Sequence, residues 1–551
     1  MFAHCKEGKL SRLAVRSIIV AFALALAGAF SAAPALAHNP AIVTRNGPMK
    51  GTSIFGVEGY LGIPYAVPPV GDLRWKPPVP SGRFPGGVFH ANQFGNFCTQ
   101  PSGVGAEDCL TLNVFTPNIK KNSDNKKPVP VMVWIHGGGL VDDGSFDFDP
   151  SPLVLAGNVI VVTINYRLGF LGFFAQSALD AEGHTNGNYG FMDQQLALKW
   201  VNDNIAAFGG DTSRITIFGE SAGGQSVYAN LASPTAAGLF EGAIAESGAY
   251  AEFQDYFDFI VSLSDGETVG VPGSTPSGDS VATALGCPGP PAETLAETAA
   301  CLRALPAAIV INNEPATIYP FVDGTILTQT PGSAFASGEF NQVPIISGGN
   351  HDEWRIFVAN QYDFTGHPLV TTADYDKAVL ALWGTPLNLF VEGLYPLGNY
   401  GGSPGIALGA SGTDGIFACP ERNSVQSLSR FVTTYAYEFN DPSPPALLHP
   451  VATFPLGAYH GAEIQYLFDI DERFAGFNPF TAEQQSLSAA MVGYWTQFAA
   501  TGNPNSAGEP AWPTYTSGTD EFQSLVPPTP VTEEPGEFAA DHFCSLLWNA
   551  F

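Results

Sequence analysis

Short apolar runs alternate with helix-compatible segments through the first half of this chain. Val129–Ile135 and residues 159–165 are almost continuously apolar, which is typical of strands buried on both faces of a sheet. Residues 215–218 and 242–245 form two further short apolar strands. Between these runs, residues 194–206 repeat apolar positions on one helical face. The alternation of strand and helix predicts an α/β protein with a doubly wound, mainly parallel sheet.

The second half of the chain is less regular. From residue 250 to about 340 the alternation is lost, and we expect these residues to pack as excursions over the sheet instead of forming a separate domain. Residues 343–347 and 431–439 predict two more strands, and residues 487–501 predict a helix. Residues 107–115, earlier in the chain, alternate apolar and polar positions as a strand does.

The first 37 residues have the pattern of a secretory signal peptide. Basic residues lead, the apolar run at 18–30 is too short to span a bilayer comfortably, and Ala35-Leu36-Ala37 supplies a small-x-small cleavage site. We therefore expect residues 1–37 to be removed and residues 38–551 to form one domain that is secreted or periplasmic. The alternative is an uncleaved membrane anchor. Because no second apolar run of spanning length follows, stable membrane insertion of the mature chain is not expected.

Charge and motif content narrow the classes of partner. The formal net charge is −29 at pH 7, which argues against nucleic acid and anionic membranes as partners. The spacings C-x-x-C and H-E-x-x-H and the EF-hand loop do not occur, so the sequence suggests no metal, and no cofactor is expected.

The cysteines predict disulfides. Seven are present, and Cys5 lies in the leader, which leaves an even set of six. In an oxidising compartment such a set suggests three disulfides, although cysteine counts alone do not decide the pairing. Pairing between cysteines that are close in sequence favours Cys98 with Cys109 and Cys287 with Cys301. Cys419 then remains for Cys544.

The segment Gly219-Glu220-Ser221-Ala222-Gly223 is the candidate nucleophile site. It has the G-x-S-x-G pattern, and it stands between a predicted strand and a predicted helix, as a nucleophile elbow requires. A strand that turns directly into a helix places its corner residue in a strained conformation, and the flanking glycines leave room for the close approach. The alternative is an ordinary turn, but the strand before the motif and the helix after it favour the elbow.

A glycine run follows the strand Val129–Ile135. In His136-Gly137-Gly138-Gly139, successive backbone N–H groups can converge on an anion. A flexible connector is the alternative, and the buried strand immediately before the run favours the anion site.

A serine nucleophile needs a base, and the base needs an acid that fixes its tautomer. In a fold with this elbow the chain order is serine, acid, histidine. Among the histidines beyond residue 353, His460 alone follows a convincing strand with a glycine beside it; the others are His367, His449 and His542. The acid candidates end apolar segments, and spacing does not choose among them: Asp323, Asp352 and Glu353.

With these residues assembled, the chain resembles the type-B carboxylesterase/lipase family, whose cholinesterase-like members have the α/β-hydrolase fold. Within that family it is similar to the bacterial para-nitrobenzyl-esterase type. The resemblance covers residues 38–551 and is most specific at 208–223 and 107–113, which follow the two family signatures. It implies a large, mostly parallel central sheet flanked by helices, with loop and helical excursions over an active-site gorge.

The resemblance also implies roles for individual residues. Ser221 corresponds to the nucleophile, His460 to the base and Glu353 to the orienting acid. The implied oxyanion hole consists of the backbone N–H groups of Gly138, Gly139 and Ala222. The favoured disulfide pairs match the family pattern. Trp354 departs from it, because the family usually has glycine after the acid, and Asp352 is therefore the reserve for Glu353.

The expected activity is hydrolysis of a small-molecule ester through an acyl-enzyme. The Cys98–Cys109 loop is too short for the lid of the lipases and lacks the tryptophan that holds choline in cholinesterases. Small or aromatic, uncharged esters are therefore the expected substrates of a secreted serine esterase. The alternatives are a true lipase acting on longer-chain acylglycerols and a non-catalytic cholinesterase-like binding protein.

Overall fold

The computed structural model describes residues 41–117, 127–185, 187–251, 278–314, 318, 320–445, 451–470 and 479–548. Asn39–Phe551 groups into one compact unit. The predicted leader, residues 1–37, lies outside the described residues. Within the described chain, no helix has the length and apolar content needed to cross a bilayer.

The strands predicted from the apolar runs are present, with shifted boundaries, and the described residues contain further short strands that the sequence did not predict. In chain order they are β1 Ala41–Thr44, β2 Gly47–Lys50, β3 Thr52–Ile54, β4 Val57–Pro64, β5 Phe89–His90, β6 Thr111–Thr116, β7 Val129–Ile135, β8 Ile160–Ile164, β9 Phe173–Phe174, β10 Gly187–Asn188, β11 Gly210–Glu220, β12 Gly242–Glu246, β13 Ile345–Asn350, β14 Thr434–Phe439, β15 Gln523–Leu525 and β16 Val531–Thr532.

Eleven of these strands form one sheet, in the spatial order β16-β15-β14-β13-β12-β11-β7-β8-β6-β4-β3. The seven central strands from β8 to β15 run parallel. Antiparallel pairs occur only toward the two edges of this sheet. The carboxyl ends of the parallel strands meet at one edge of the sheet, where ligand sites of α/β proteins lie.

Helices cover both faces of the sheet. In chain order they are α1 Ser151–Gly157, α2 Gly169–Gly172, α3 Ser177–Asp180, α4 Tyr189–Asn204, α5 Ala222–Ala232, α6 Gly278–Ala284, α7 Leu295–Ala304, α8 Ala307–Ile311, α9 Pro331–Ser337, α10 Arg355–Val358, α11 Thr372–Trp383, α12 Leu387–Leu394, α13 Pro404–Gly412, α14 Cys419–Leu428, α15 Ala482–Thr501 and α16 Glu537–Asp541. A π-helical turn, Thr413–Ala418, joins α13 to α14.

Strand β7 illustrates why the central strands are apolar throughout. Its alternate residues Val131 and Val133 belong to the core that packs under α4 and α5. The residues between them, Met132 and Trp134, belong to a second core on the other face, under α15. A strand covered on both sides buries every side chain, so its sequence shows a continuous apolar run and no alternation.

Several predicted elements have different boundaries, and three of them show the reasons. Strand β6 begins only at Thr111, because residues 107–109 belong to the loop closed by the Cys98–Cys109 disulfide and the Glu107 carboxylate binds Arg74. Strand β14 begins at Thr434, because Phe431 N donates to Leu428 O and completes the end of α14. Helix α15 begins earlier than predicted, at a cap in which the Thr481 side chain accepts from Gln484 N.

The described residues contain three disulfides. They join Cys98 with Cys109, Cys287 with Cys301, and Cys419 with Cys544, which is the pairing favoured by the sequence. The last bridge spans 125 residues and ties the C-terminal segment to α14. A loop of that length corresponds to about 5 kcal/mol of stabilisation on the chain-entropy model.

Candidate active site

Ser221 stands at a sharp corner between β11 and α5. Its backbone angles are φ 56° and ψ −122°, a conformation that costs a residue with a side chain about 1–3 kcal/mol. Two backbone hydrogen bonds hold the corner: Ser221 N donates to Glu246 O at 2.9 Å, and Gln225 N donates to Ser221 O at 2.8 Å. The serine is thus fixed at the carboxyl end of the sheet, directly before a helix N-terminus.

The glycines of the elbow motif are sterically required. A Cβ on Gly219 would lie 2.5 Å from the Ile135 carbonyl oxygen, and one on Gly223 would lie 2.0 Å from the same atom. Both distances are far inside van der Waals contact. The motif therefore has glycine at these positions because the end of β7 passes directly against the elbow.

The glycine run after β7 lies beside the serine. A Cβ on Gly137 would lie 3.2 Å from the Ser221 Cβ. Gly138 and Gly139 have positive φ angles of 84° and 61°, which turn the backbone N–H groups of the loop. Among the described residues, the N–H groups of Gly138, Gly139 and Ala222 have no hydrogen-bond acceptor. Three donors are therefore available next to the nucleophile position.

His460 and Glu353 form a tight pair. The His460 Nδ1 lies 2.6 Å from Glu353 Oε2. The other carboxylate oxygen, Oε1, accepts from Asn350 N at 2.7 Å, and the Glu353 side chain is fully buried. Strand β13 ends at Asn350, so the end of this central strand positions Glu353 against His460.

The second nitrogen of His460 faces the elbow. Its Nε2 lies 3.3 Å from Oε1 of Glu220, the residue directly before Ser221. Burial lowers the pKa of His460, but the carboxylates of Glu220, Glu353 and Glu463 outweigh it and raise that pKa to about 9. An imidazolium formed at this position is therefore strongly stabilised.

Buried glutamates surround the histidine. Burial raises the pKa of Glu220 well above its ordinary value, although His460 lowers it. Burial and the nearby Glu353 raise the pKa of Glu463 to about 7. The Glu463 carboxylate accepts from Asn350 Nδ2. Several acids therefore crowd one imidazole, and their mutual repulsion disfavours the charged form of each carboxyl group.

Aromatic side chains form one wall of the site. The rings of Phe357 and Phe417 lie 5.1 and 5.0 Å from the His460 ring. Trp354, the departure from the family pattern, stacks obliquely on Phe357 at 4.6 Å. A Cβ on Gly412 would lie 2.2 Å from the Trp354 indole. Glycine at 412 thus makes room for the tryptophan beside the acid.

The other candidate acids and bases are placed elsewhere. Asp352 pairs with Arg355 at 2.7 Å, and Asp323 accepts from the backbone N–H groups of a turn, including that of Ile326 at 2.6 Å. His367 is exposed, and His449 lies outside the described residues. His542 is buried between two carboxylates. The sequence did not single out Glu220, Glu463 or Phe417, although Glu220 lies inside the elbow motif.

The profile of the carboxylesterase family matches residues 38–383 and 395–537. The chain belongs to the carboxylesterase family. The resemblance seen in the two signatures is thereby confirmed.

Individual relatives agree with this assignment. The esterase is 35% identical to a human cocaine esterase over 493 residues, 84% of this chain and 82% of the relative. It is 34% identical to a para-nitrobenzyl esterase of Bacillus subtilis (strain 168) over 517 residues, 90% of this chain and 96% of the relative. A solved structure of a thermophilic PNB esterase superposes with a TM-score of 0.71 at 30% identity, covering 92% of this chain and all of that one. The α/β-hydrolase fold is confirmed, and the protein is a carboxylic ester hydrolase.

Proposed function

We propose that this esterase hydrolyses small or aromatic, uncharged esters through an acyl-enzyme formed on Ser221. In this mechanism His460 Nε2 takes the proton of the Ser221 hydroxyl while Oγ attacks the ester carbonyl. Glu353 keeps the proton on His460 Nδ1 and stabilises the imidazolium that forms. The observation that carries the proposal is the contact between His460 Nδ1 and Glu353 Oε2, with the other ring nitrogen turned toward the elbow.

The tetrahedral intermediate carries an oxyanion beside the elbow. The N–H groups of Gly138, Gly139 and Ala222 are the donors assigned to it, each worth roughly 2.7–4 kcal/mol to the transition state. The intermediate then collapses, and His460 gives its Nε2 proton to the departing alcohol. Water enters, loses a proton to His460 and attacks the acyl carbonyl, which releases the acid and restores Ser221.

Two features support aromatic and uncharged substrates. The rings of Phe357 and Phe417 lie tilted against His460, and together they offer an apolar surface for an aromatic acyl or alcohol group. The loop between Cys98 and Cys109 has no tryptophan for a choline headgroup. The names of two relatives, cocaine esterase and para-nitrobenzyl esterase, also refer to aromatic esters.

We further propose that residues 1–37 are a signal peptide and that the mature enzyme is secreted or periplasmic. The three disulfides support this, because such bonds persist in oxidising compartments. Sequencing the amino terminus of the exported protein tests the proposal, and a mature chain beginning at His38 is the expected result. An intact leader on the exported enzyme would contradict it.

The central experiment uses p-nitrophenyl esters of increasing acyl length with the wild type, Ser221→Ala and a control, Ser486→Ala, which alters an exposed serine on α15. We expect kcat to fall by about 10⁵–10⁶-fold for Ser221→Ala and to be unchanged for the control. Rapid mixing should give a burst of p-nitrophenol equal to the enzyme concentration, followed by a slower steady state. Activity that survives the Ser221 change rules out the proposed nucleophile. A jump in rate when substrate exceeds its solubility would instead indicate a lipase.

A further inference from the structure

A second cluster of histidine and carboxylate side chains lies outside the Ser221 site. His351 directly follows β13, Glu438 lies on β14, and His542 directly follows α16. One donor atom from each of these three residues lies within 4.8 Å of the other two. The His542 Nε2 is 2.6 Å from Glu438 Oε1, and the His351 Nδ1 is 3.8 Å from the same oxygen. We propose that this two-histidine cluster binds Zn²⁺.

The surroundings of His542 are those of a metal ligand. Its other nitrogen, Nδ1, lies 2.7 Å from Asp414 Oδ1. Asp414 Oδ2 in turn accepts from the Tyr395 hydroxyl at 2.7 Å, which accepts from Trp548 Nε1 at 2.7 Å. Metal-binding histidines characteristically donate their second N–H to a carboxylate that fixes the ring. The chain of contacts holds His542 Nε2 toward Glu438 and His351.

An unused donor atom points independently to a ligand. The Nδ1 atom of His351 is buried and has no hydrogen-bond partner among the described residues. A buried ring nitrogen without a partner is costly unless something binds it. The His351 side chain as a whole is 36% exposed, so the cluster lies close to the protein surface.

The neighbouring acid also favours a cation. Glu533 lies close enough to Glu438 to interact with it electrostatically, and a cation beside the two acids would relieve their mutual repulsion. One oxygen of Glu533 is buried without a hydrogen-bond partner among the described residues. Glu533 therefore adds a further acidic group beside the cluster.

The metal takes the place of a proton. Without metal, a proton lies between His542 Nε2 and Glu438 Oε1; on binding, Zn²⁺ is coordinated by both atoms and the proton is released to solvent. Two ligands at 2.0–2.1 Å in tetrahedral geometry stand about 3.3 Å apart, so the present separation of 2.6 Å must widen slightly. Two imidazoles and a carboxylate suit Zn²⁺ better than Mg²⁺ or Ca²⁺, which prefer oxygen ligands only.

The site would join three distant segments. His351 lies two residues before Glu353, and His542 lies two residues before the disulfide-bonded Cys544. A bound metal would therefore fasten the loop that carries the acid to strand β14 and to the C-terminal segment. We expect it to act on stability, because the side-chain contacts of His460 among the described residues include none of these ligands.

Calorimetric titration of the purified, chelator-treated enzyme with ZnCl₂ tests the proposal. We expect one Zn²⁺ per chain in the wild type and an affinity at least about tenfold weaker in His351→Ala, since even outer partners of metal ligands contribute 10–100-fold. His367→Ala, which removes an exposed histidine, is the matched control and should bind as the wild type does. The melting temperature should rise with Zn²⁺ in the wild type and the control, but not in His351→Ala.

A spectroscopic measurement keeps the proposal testable even when the substitution alters the folding of His351→Ala. Co²⁺ added to the wild type should develop the intense visible absorption of a tetrahedral site, and the absorption should be lost in His351→Ala while esterase activity persists. Equal Zn²⁺ affinity in the wild type and His351→Ala, or only weak octahedral Co²⁺ absorption in the wild type, would overturn the proposal.

Discussion

His460 Nε2 lies 3.3 Å from Glu220 Oε1, so the histidine contacts a carboxylate through each of its ring nitrogens. The acid on the Nδ1 side, Glu353, is the one expected from the family. The acid on the Nε2 side belongs to the elbow itself. The base assigned to Ser221 therefore works in the field of two carboxylates, and removing either has a different consequence.

Replacing Glu220 with glutamine should shift the pH profile. His460 must be neutral to accept a proton, so kcat/KM falls as the pH drops below its pKa. Glu220 is one of the carboxylates, with Glu353 and Glu463, that raise this pKa to about 9 against the effect of burial. Without its charge the pKa falls, and the acid limb of the kcat/KM profile should move down by about 1–3 pH units. At alkaline pH the variant should be slower, because the imidazolium of the transition state is less stabilised.

Glu246→Gln is the control for this shift. Glu246 is also buried at the end of a central strand, but Trp495 Nε1 donates to its carboxyl at 3.0 Å. Its profile should keep the wild-type acid limb. An unshifted acid limb in Glu220→Gln would show that Glu220 does not set the protonation of His460.

The pair Glu353→Gln and Asp352→Asn separates two of the three acids that spacing left open. Glu353→Gln should lower kcat by about 10⁴-fold, as amide replacement of a triad acid does, because the wrong tautomer of the histidine becomes favoured. Asp352 pairs with Arg355 and accepts from Ala458 N. Asp352→Asn should therefore destabilise the fold and change kcat by less than about tenfold. Steady-state kinetics on both variants decide the matter. The reverse order of losses would assign the role to Asp352.

The elbow was predictable from sequence because its chemistry is local. Five consecutive residues contain the strained corner and the glycines that accommodate it, and the flanking strand and helix are visible as apolar patterns. The acid that pairs with His460 could not be predicted from local sequence in this way. Glu353 reaches His460 only because β13 and β14 lie side by side in register, with Asn350 opposite Phe439. That relationship is tertiary, so spacing could not choose Glu353 over Asp352 or Asp323.

The helical layer between residues 355 and 428 illustrates a second limit. In α13, seven of the nine residues are buried, so apolar and small residues occur on all sides of the helix. A helix buried all round has no amphipathic period to detect. The role of Gly412 also depends on contact across the fold, because the Trp354 indole occupies the place where a side chain would be. Such positions are determined by packing partners far away in sequence.

The aromatic wall gives a prediction about substrate choice. Phe417→Ala removes a ring 5.0 Å from His460, and we expect kcat/KM for an aromatic ester such as p-nitrophenyl benzoate to fall by about 10–100-fold relative to p-nitrophenyl acetate. Phe390→Ala, which removes a ring that is 63% exposed on α12, is the control and should leave the ratio unchanged. An unchanged ratio in Phe417→Ala would place the aromatic group of the substrate elsewhere.

Two glycine-to-alanine changes test the steric account of the elbow. In Gly223→Ala the new Cβ would lie 2.0 Å from the Ile135 carbonyl oxygen, so β7 and α5 must separate and the Ser221 corner must open. We expect a loss of at least about 100-fold in kcat/KM, because displacing a catalytic group by 1 Å costs that much. Gly393→Ala, on an exposed position of α12 with open space around it, should instead stabilise the fold by about 0.5–1 kcal/mol. Thermal melting and esterase assays on both variants provide the comparison. A fully active Gly223→Ala enzyme would mean that the close approach of β7 does not hold the nucleophile in place.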